Sequence, residues 1–382
     1  MKLAALAMSI LATTSLFAGT RRGPFAFHYE PVLTEAQLAW YSRFELLVTH
    51  DPLPRAQVER LHAAGTKLLL YEWSVAFYDA RATRWQRSLI GSRQVLNETP
   101  LSGGTGSATA GAWYFDPAAN GSASHRAADL VRRLRAAHYD GVFFDTTTVE
   151  SVHPSARNEY ERRHAGLSYD EAFARFLREL RRQWPAIAIF TNQGFRSAEH
   201  YLPYADWDLT ESLITHPGGD GFVLRPWNDE ARPWQSIRFL MRALIEPAAQ
   251  RYPRVRFGHL NYVSAPDPET ILLAFSIARV FGGEAFVATP SIEGEESDVY
   301  FLDLGAPVSP AIDLESGAAT MRAFEKGTIV ITDGMKDVAL LGARGLRNWL
   351  TSQIVCDDTI ILPANDGVPR AYVFELTSGC TP

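Results

Sequence analysis

Three carboxylates each close a short run of apolar residues: Glu72 after Leu69, Leu70 and Tyr71, Asp145 after Val142, Phe143 and Phe144, and Glu211 after Leu209 and Thr210. If the runs are strands, alternation puts Asp145 on one face with Phe143 and Glu211 on one face with Leu209. Two strands apart in a sheet means roughly 10 Å between backbones, and inward-leaning side chains shorten that separation. Carboxyl pairs about 5 to 9.5 Å apart hydrolyse glycosidic bonds, one acid protonating the leaving oxygen while the other, ionised, attacks or activates water. Phe143, Phe144, Trp73 and Trp207 supply apolar surroundings that can hold one acid neutral, and either acid can take either role. The plainer reading of an aspartate after a strand is a capping or loop-ordering acid, and Glu72 has a second reading as the ion-pair partner of an arginine such as Arg196.

Around these acids fall aromatic rings suited to stacking on sugar faces: Tyr29, Trp73, Trp113, Tyr114, Phe195, Trp227 and Tyr262. Most aromatic residues are simply core, so only their accumulation near strand ends carries weight. Asn192, Gln193 and Arg196, with His259 and Asn261, add hydrogen-bonding groups that fix hydroxyl-rich ligands or else satisfy buried backbone. His28, His50 and Asp51 raise a metal-hydrolase alternative, but no HxH pair or H-E-x-x-H is present, so no metal and no cofactor is expected. No G-x-S-x-G elbow occurs, and both cysteines, Cys356 and Cys380, lie near the C-terminus, which removes the usual anchors of serine and cysteine nucleophiles.

The elements that must position these groups alternate between β-rich and amphipathic helical runs. Strands are predicted over Pro24 to Tyr29, Phe44 to Thr49, Lys67 to Trp73, Gly141 to Asp145, Ala186 to Asn192, Trp207 to Glu211, Val255 to Tyr262 and Glu284 to Thr289. Helices are predicted over Thr34 to Tyr41, Pro54 to Ala64, Ser122 to His138, Ser168 to Trp184, Ser197 to Leu202, Pro233 to Gln250 and Pro268 to Phe281. Pro54 opens its helix at the first turn, Ser168 and Asp267 cap theirs, and Pro185 stops the fourth. Eight βα units without a glycine-rich phosphate turn indicate an α/β fold, a (β/α)8 TIM barrel, in which active sites form at the C-terminal strand ends. The Gly/Ser-rich stretch from Ser102 to Gly111 reads as a mobile loop over the mouth. Val299 to Leu304, Gly327 to Thr332, Thr359 to Leu362 and Arg370 to Leu376 read as strands of a short C-terminal β-rich extension, with Leu314 to Phe324 as a possible residual helix.

The chain therefore divides into residues 1–18, a barrel over 22–295 and the extension over 296–382. Residues 1–18 join Lys2 to an apolar run and small residues, the pattern of a signal peptide, so a secreted or periplasmic protein with no membrane span in the mature chain is expected; retention as an N-terminal anchor is the alternative. In an exported chain Cys356 and Cys380 are expected to pair, the alternative being two free thiols. A net charge of −6 over 382 residues, with the arginines around Arg132, Arg133 and Arg135 interleaved with Leu and Ala, excludes a nucleic-acid footprint.

The sequence resembles the TIM-barrel glycoside hydrolases that include the hypothetical glycosyl hydrolase group fifteen and the endo-α-1,4-polygalactosaminidase family, glycoside hydrolase family 114. The resemblance rests on Gly65-Thr66-Lys67, Trp113 to Pro117, Tyr139 to Asp145, Asn192-Gln193-Gly194-Phe195 and Asp208 to Ser212, and continues through Phe301 to Gly305 and Phe324 to Gly327. It implies a barrel acting on a carbohydrate, with Asp145 and Glu211 matching the strand-four and strand-six acids of the polygalactosaminidases. Thr146 to Thr148 and Tyr71-Glu72-Trp73 depart from that pattern and bear on the substrate. The expectation is an O-glycosidase for a poly- or oligosaccharide; the alternative is a non-catalytic carbohydrate-binding barrel.

Overall fold

Eight strands form one parallel sheet in chain order: β1 (Gly23–His28), β2 (Phe44–Thr49), β3 (Lys67–Trp73), β4 (Gly141–Asp145), β5 (Ala188–Asn192), β6 (Trp207–Glu211), β7 (Arg256–Tyr262) and β8 (Glu284–Ala288). The last strand returns to lie beside the first, which makes a TIM barrel. The computed structural model describes residues 21–101, 111–219, 221–229, 231–265, 267–289, 296–314, 318–333, 337–339, 345–356, 359–362 and 367–377. Residues 1–18, the loop stretch over 102–110 and Cys380 lie outside the described residues; Cys356 is disulfide-bonded. Among the described residues no helix is long and apolar enough to cross a membrane.

The helices α1 (Glu35–Tyr41), α2 (Arg55–Ala63), α3 (Ser122–Ala137), α4 (Tyr169–Gln183), α5 (Ala198–Tyr201), α6 (237–251) and α7 (Pro268–Phe281) form the outer layer. Ser168 Oγ accepts from Glu171 N at 3.1 Å, and Asp267 Oδ1 accepts from Glu269 N and Thr270 N, so both expected caps are present. Pro54 stands at the N-cap rather than inside the first turn. The middle of α6 is a π-helical turn over Leu240–Ile245. Pro247 accounts for it, because proline donates no N–H and its ring crowds the carbonyl one turn back, which the wider turn relieves.

Aromatic rings fill the barrel. Phe27 meets Phe143 edge-on at 5.0 Å, Phe143 meets Phe190 at 5.3 Å, and Phe25 meets Phe190 at 5.5 Å and Trp207 at 5.6 Å. Gly258 makes room for this plug: a Cβ there would stand 2.7 Å from a ring carbon of Phe25. The plug sets the floor on which the next inward layer stands, two residues further along each strand.

Two excursions absent from the expected elements rise above the barrel. Residues 74–121 carry an antiparallel ribbon, Ala76–Tyr78 with Ala112–Tyr114, and a helix Arg84–Gly91 around their own cluster of Phe77, Leu89, Val95, Trp113 and Phe115. After β6 comes a hairpin, Thr215–Gly218 with Gly221–Leu224. A further unforeseen helix, Pro154–Arg163, precedes α4.

The C-terminal sheet corrects two expectations. Val299 to Leu304 is not a strand: Asp298–Phe301 is a 3-10 turn whose Tyr300 hydroxyl accepts from Val287 N at 3.1 Å. The stretch expected as a residual helix instead supplies strands where it is described: β9 (Ile312–Leu314) and β10 (Ala319–Phe324) pair antiparallel. With β11 (Gly327–Thr332), β12 (Leu346–Asn348), β13 (Ile354–Val355) and β14 (Arg370–Leu376) they form a sheet in the order β9-β10-β11-β14-β12-β13. It packs on α7, which is apolar nearly all round because barrel and sheet cover opposite sides of it.

Candidate active site

The layer above the aromatic plug is polar. Asp145 stands two residues beyond Phe143, Asn192 two beyond Phe190, and Glu211 at the end of the face carrying Trp207 and Leu209. Asn192 joins the acids: its Nδ2 donates to Asp145 Oδ1 at 2.8 Å and to Glu211 Oε2 at 2.8 Å. With its two N–H bonds ~120° apart, the two acceptor oxygens stand on the order of 5 Å from each other.

Each acid has a second donor. Tyr71 Oη donates to Asp145 Oδ2 at 2.5 Å and Tyr262 Oη to Glu211 Oε1 at 2.6 Å. Tyr29 stands with them, its ring 5.5 Å from Tyr71, and His50 lies 4.9 Å from Tyr71. Burial is the largest cause that pushes the Tyr29, Tyr71 and Tyr262 hydroxyls well above the usual phenol value, and the two carboxylates add to it, so these phenols remain proton donors. Glu211 is also raised, first by burial and then by the charge of Asp145, against the lowering bonds from Tyr262 and Asn192.

Adjacent residues of a strand face opposite ways, and β3 shows the consequence. Tyr71 turns to the mouth, so Glu72 turns to the helix layer, where Arg133 of α3 donates to both its oxygens at 3.0 Å. Glu72 is therefore held away from the acid pair, and its partner is Arg133, not Arg196. Trp73 returns to the mouth side and packs on Tyr78 at 4.8 Å, beside a cavity of about 560 Å³ that runs from His50, Asp51 and Tyr71 to Glu72 and Arg133.

Other expected site residues are placed elsewhere. Trp113 is core of the excursion's own cluster, because it pairs with Phe77; its neighbour Tyr114 approaches Trp73, at 6.1 Å. Arg196 is exposed and lines a separate groove with Phe195, Arg251 and Tyr252. Gln193 follows Asn192 with φ +60° and its N–H donates to Leu209 O at 2.7 Å, a backbone role. Trp227 is fully buried, and Phe144 packs on Phe173 and Phe176 of α4. His259 and Asn261 alternate away from Leu260 and Tyr262 and are buried, Asn261 Oδ1 accepting from Ile214 N at 2.8 Å after β6.

Sequence reasoning missed Tyr71, although alternation on β3 could have found it: a strand that sends Trp73 to the mouth also sends Tyr71 there. It also missed Asp208, on the outer face of β6, which accepts from Thr191 Oγ1, Gly194 N and Phe195 N and so shapes the loop after Asn192. Burial raises Asp208 to about 7. Phe222 of the hairpin stacks on Tyr262 at 5.3 Å and backs the donor to Glu211. Among the described residues no three of His, Cys, Asp and Glu gather as a metal site.

Fold and mouth thus define a TIM barrel with a bridged acid pair at its C-terminal strand ends. No family model and no curated protein matches the sequence. Among solved structures the chain is similar to Amy13B of Eubacterium rectale, at 8% identity and TM-score 0.57 over 94% of this chain and 96% of that one. It is similar to an Anoxybacillus alpha-amylase, at 10% identity and TM-score 0.52 over 94% and 99%. The glycoside hydrolase domain of PelA from Pseudomonas aeruginosa aligns at 22% identity and TM-score 0.48 over 72% and 98%. The first two likenesses bear on the fold alone.

Proposed function

We propose that the protein is a glycoside hydrolase that cleaves O-glycosidic bonds of a poly- or oligosaccharide with Asp145 and Glu211, without a cofactor. The observation that carries this is the single Asn192 amide bonded to both acids at 2.8 Å, with the phenols of Tyr29, Tyr71 and Tyr262 around them. The hydrolase domain and alpha-amylase names of the similar structures support the same class, as does the resemblance of the strand-four and strand-six acids to those of the polygalactosaminidases.

The acids divide the work by environment. Glu211, raised by burial and by its neighbour's charge, is the proton donor. Asp145, which accepts from Tyr71 and Asn192, is the nucleophile. Asp145 attacks the anomeric carbon as Glu211 protonates the departing oxygen; water, deprotonated by Glu211, then releases the sugar from Asp145 and restores both groups. An acid separation near 5 Å fits this two-step route with retained configuration, since inversion needs about 6.5 to 9.5 Å to seat a water. Export, proposed from residues 1–18, would place the enzyme where polymeric substrates occur.

Proton NMR of the first sugar released from a panel of α- and β-linked polysaccharides, starch and galactosamine-rich polymers included, tests this reading. The anomer first formed should match the bond cleaved. The opposite anomer would overturn the nucleophilic role of Asp145, and no cleavage across the panel would count against hydrolysis.

A further inference from the structure

Six non-glycine residues among those described have positive φ, and three directly follow the three bridged site residues: Thr146 (+52°) after Asp145, Gln193 (+60°) after Asn192 and Ser212 (+55°) after Glu211. The left-handed region crowds Cβ against the following carbonyl, and for a β-branched residue such as Thr146 it is a true outlier. Thr146 carries a second cost, for its hydroxyl is buried without a hydrogen-bond partner.

Such a conformation persists only where the surroundings over-determine it. Here neighbouring strand ends pin the chain from both sides. Ser74, following β3, donates its N–H to Asp145 O at 3.1 Å and its Oγ to Thr146 O at 2.8 Å. Thr147 Oγ1 donates to Asn192 O. The same device recurs along the mouth: Gln193 N donates to Leu209 O at 2.7 Å and Ser212 N to Leu260 O at 2.8 Å, while Arg225 Nε holds Ser212 O at 3.3 Å. β5 and β6 each keep the ladder for one more N–H, that of Gln193 or Ser212, and then turn aside, while at the end of β4 the pinning comes from Ser74 and Thr147.

We infer that Thr146 is a positioning residue for Asp145, and that Thr146, Gln193 and Ser212 together set the heights at which Asp145, Asn192 and Glu211 meet. This rests on the hydrolase reading for its consequence but not for its test. Glu211 is faced by Asp145, Tyr29, Tyr71 and Tyr262, and it senses where the charge of Asp145 lies.

The test is a 13C titration of the Glu211 carboxyl in wild type, Asp145→Asn, Thr146→Gly and Thr146→Asn, with melting temperatures and reducing-end release on the same polysaccharide panel. Glycine frees φ, whereas asparagine tolerates the left-handed region. Asp145→Asn should lower the Glu211 midpoint by removing the charge. Thr146→Gly should lower it part of the way without losing melting temperature, and cut kcat roughly tenfold or more with KM nearly unchanged, as misplaced catalytic groups do; Thr146→Asn should restore both. A Thr146→Gly protein with the wild-type Glu211 midpoint, or one that melts lower than wild type, would overturn the inference. A wild type that cleaves nothing would overturn the hydrolase reading instead and leave the titration to decide this one.

Discussion

Replacing Asn192 with alanine removes one amide and two bonds at 2.8 Å, and the structure fixes which way the site must respond. Two carboxylates on the order of 5 Å apart repel by about 3 kcal/mol at an effective dielectric near 20. The amide offsets that repulsion by donating to both, and a hydrogen bond to a charged group is worth about 1.5–3 kcal/mol. Without it the acid pair has a stronger reason to keep one proton. Glu211, already raised by burial and by Asp145, takes that proton, because the Asn192 bond is among the influences that lower it. Its midpoint should therefore rise by about 1–2 units in Asn192→Ala, at ~1.4 kcal/mol per unit. A 13C titration of side-chain carboxyls reads this directly, the Glu211 resonance being the one absent from Glu211→Gln. The alkaline limb of the pH–rate profile should move up with it while kcat at the optimum falls. A Glu211 midpoint that stays put or drops in Asn192→Ala would refute the reasoning, since the amide would then not be what holds the two charges together.

Three further outcomes are expected. A raised acid stabilises the fold fully below its unfolded value, near 4.5, and that contribution is lost as pH rises through the folded value; Glu211→Gln should therefore melt higher than wild type at pH 7 and equal to it at pH 4, and a gain at both would point to packing instead. Glu72→Gln should keep kcat within about twofold while losing about 1–3 kcal/mol of stability, as its bonds to Arg133 weaken; loss of turnover in a stable Glu72→Gln would return that residue to the site. His259 is fully buried, its imidazolium disfavoured so that its value falls to about 3, so the unfolded chain takes up a proton below about 6.5 that the fold refuses; stability drains as pH falls from 6.5 towards 3, and denaturant melts of His259→Leu should show a flatter acid limb than wild type.

The barrel was legible because its strands bear their pattern locally. Phe44–Thr49, Lys67–Trp73, Gly141–Asp145 and Trp207–Glu211 have the expected bounds, each an apolar run bounded by turn or cap residues. The excursions were not legible, because Ala76–Tyr78 and Ala112–Tyr114 are three-residue strands paired across a gap of more than thirty positions. Periodicity is silent on so short a piece. Asp145 and Glu211 could be set on one face from alternation alone, but their bridge could not, since it depends on β5 lying between β4 and β6 and on Asn192 reaching both ways. Glu72 was expected beside the acid pair, but the β3 register turns it to Arg133, and it meets Trp73 only along the cavity that both line. The residue that the β3 register sends to the mouth, Tyr71, supplies the donor to Asp145. Val299 to Leu304 misled for a different reason: its β-branched and aromatic residues are apolar because they seal the barrel beside Phe44, not because they alternate.

The measurement that bears most directly on the central claim is reducing-end release from the polysaccharide panel by wild type, Asp145→Asn and Glu211→Gln, each first shown to be folded. Cleavage of at least one polymer by wild type, reduced by about 10² or more in both variants, is the result expected of an acid pair that carries the chemistry. Equal rates from all three proteins would contradict it and remove Asp145 and Glu211 from the reaction.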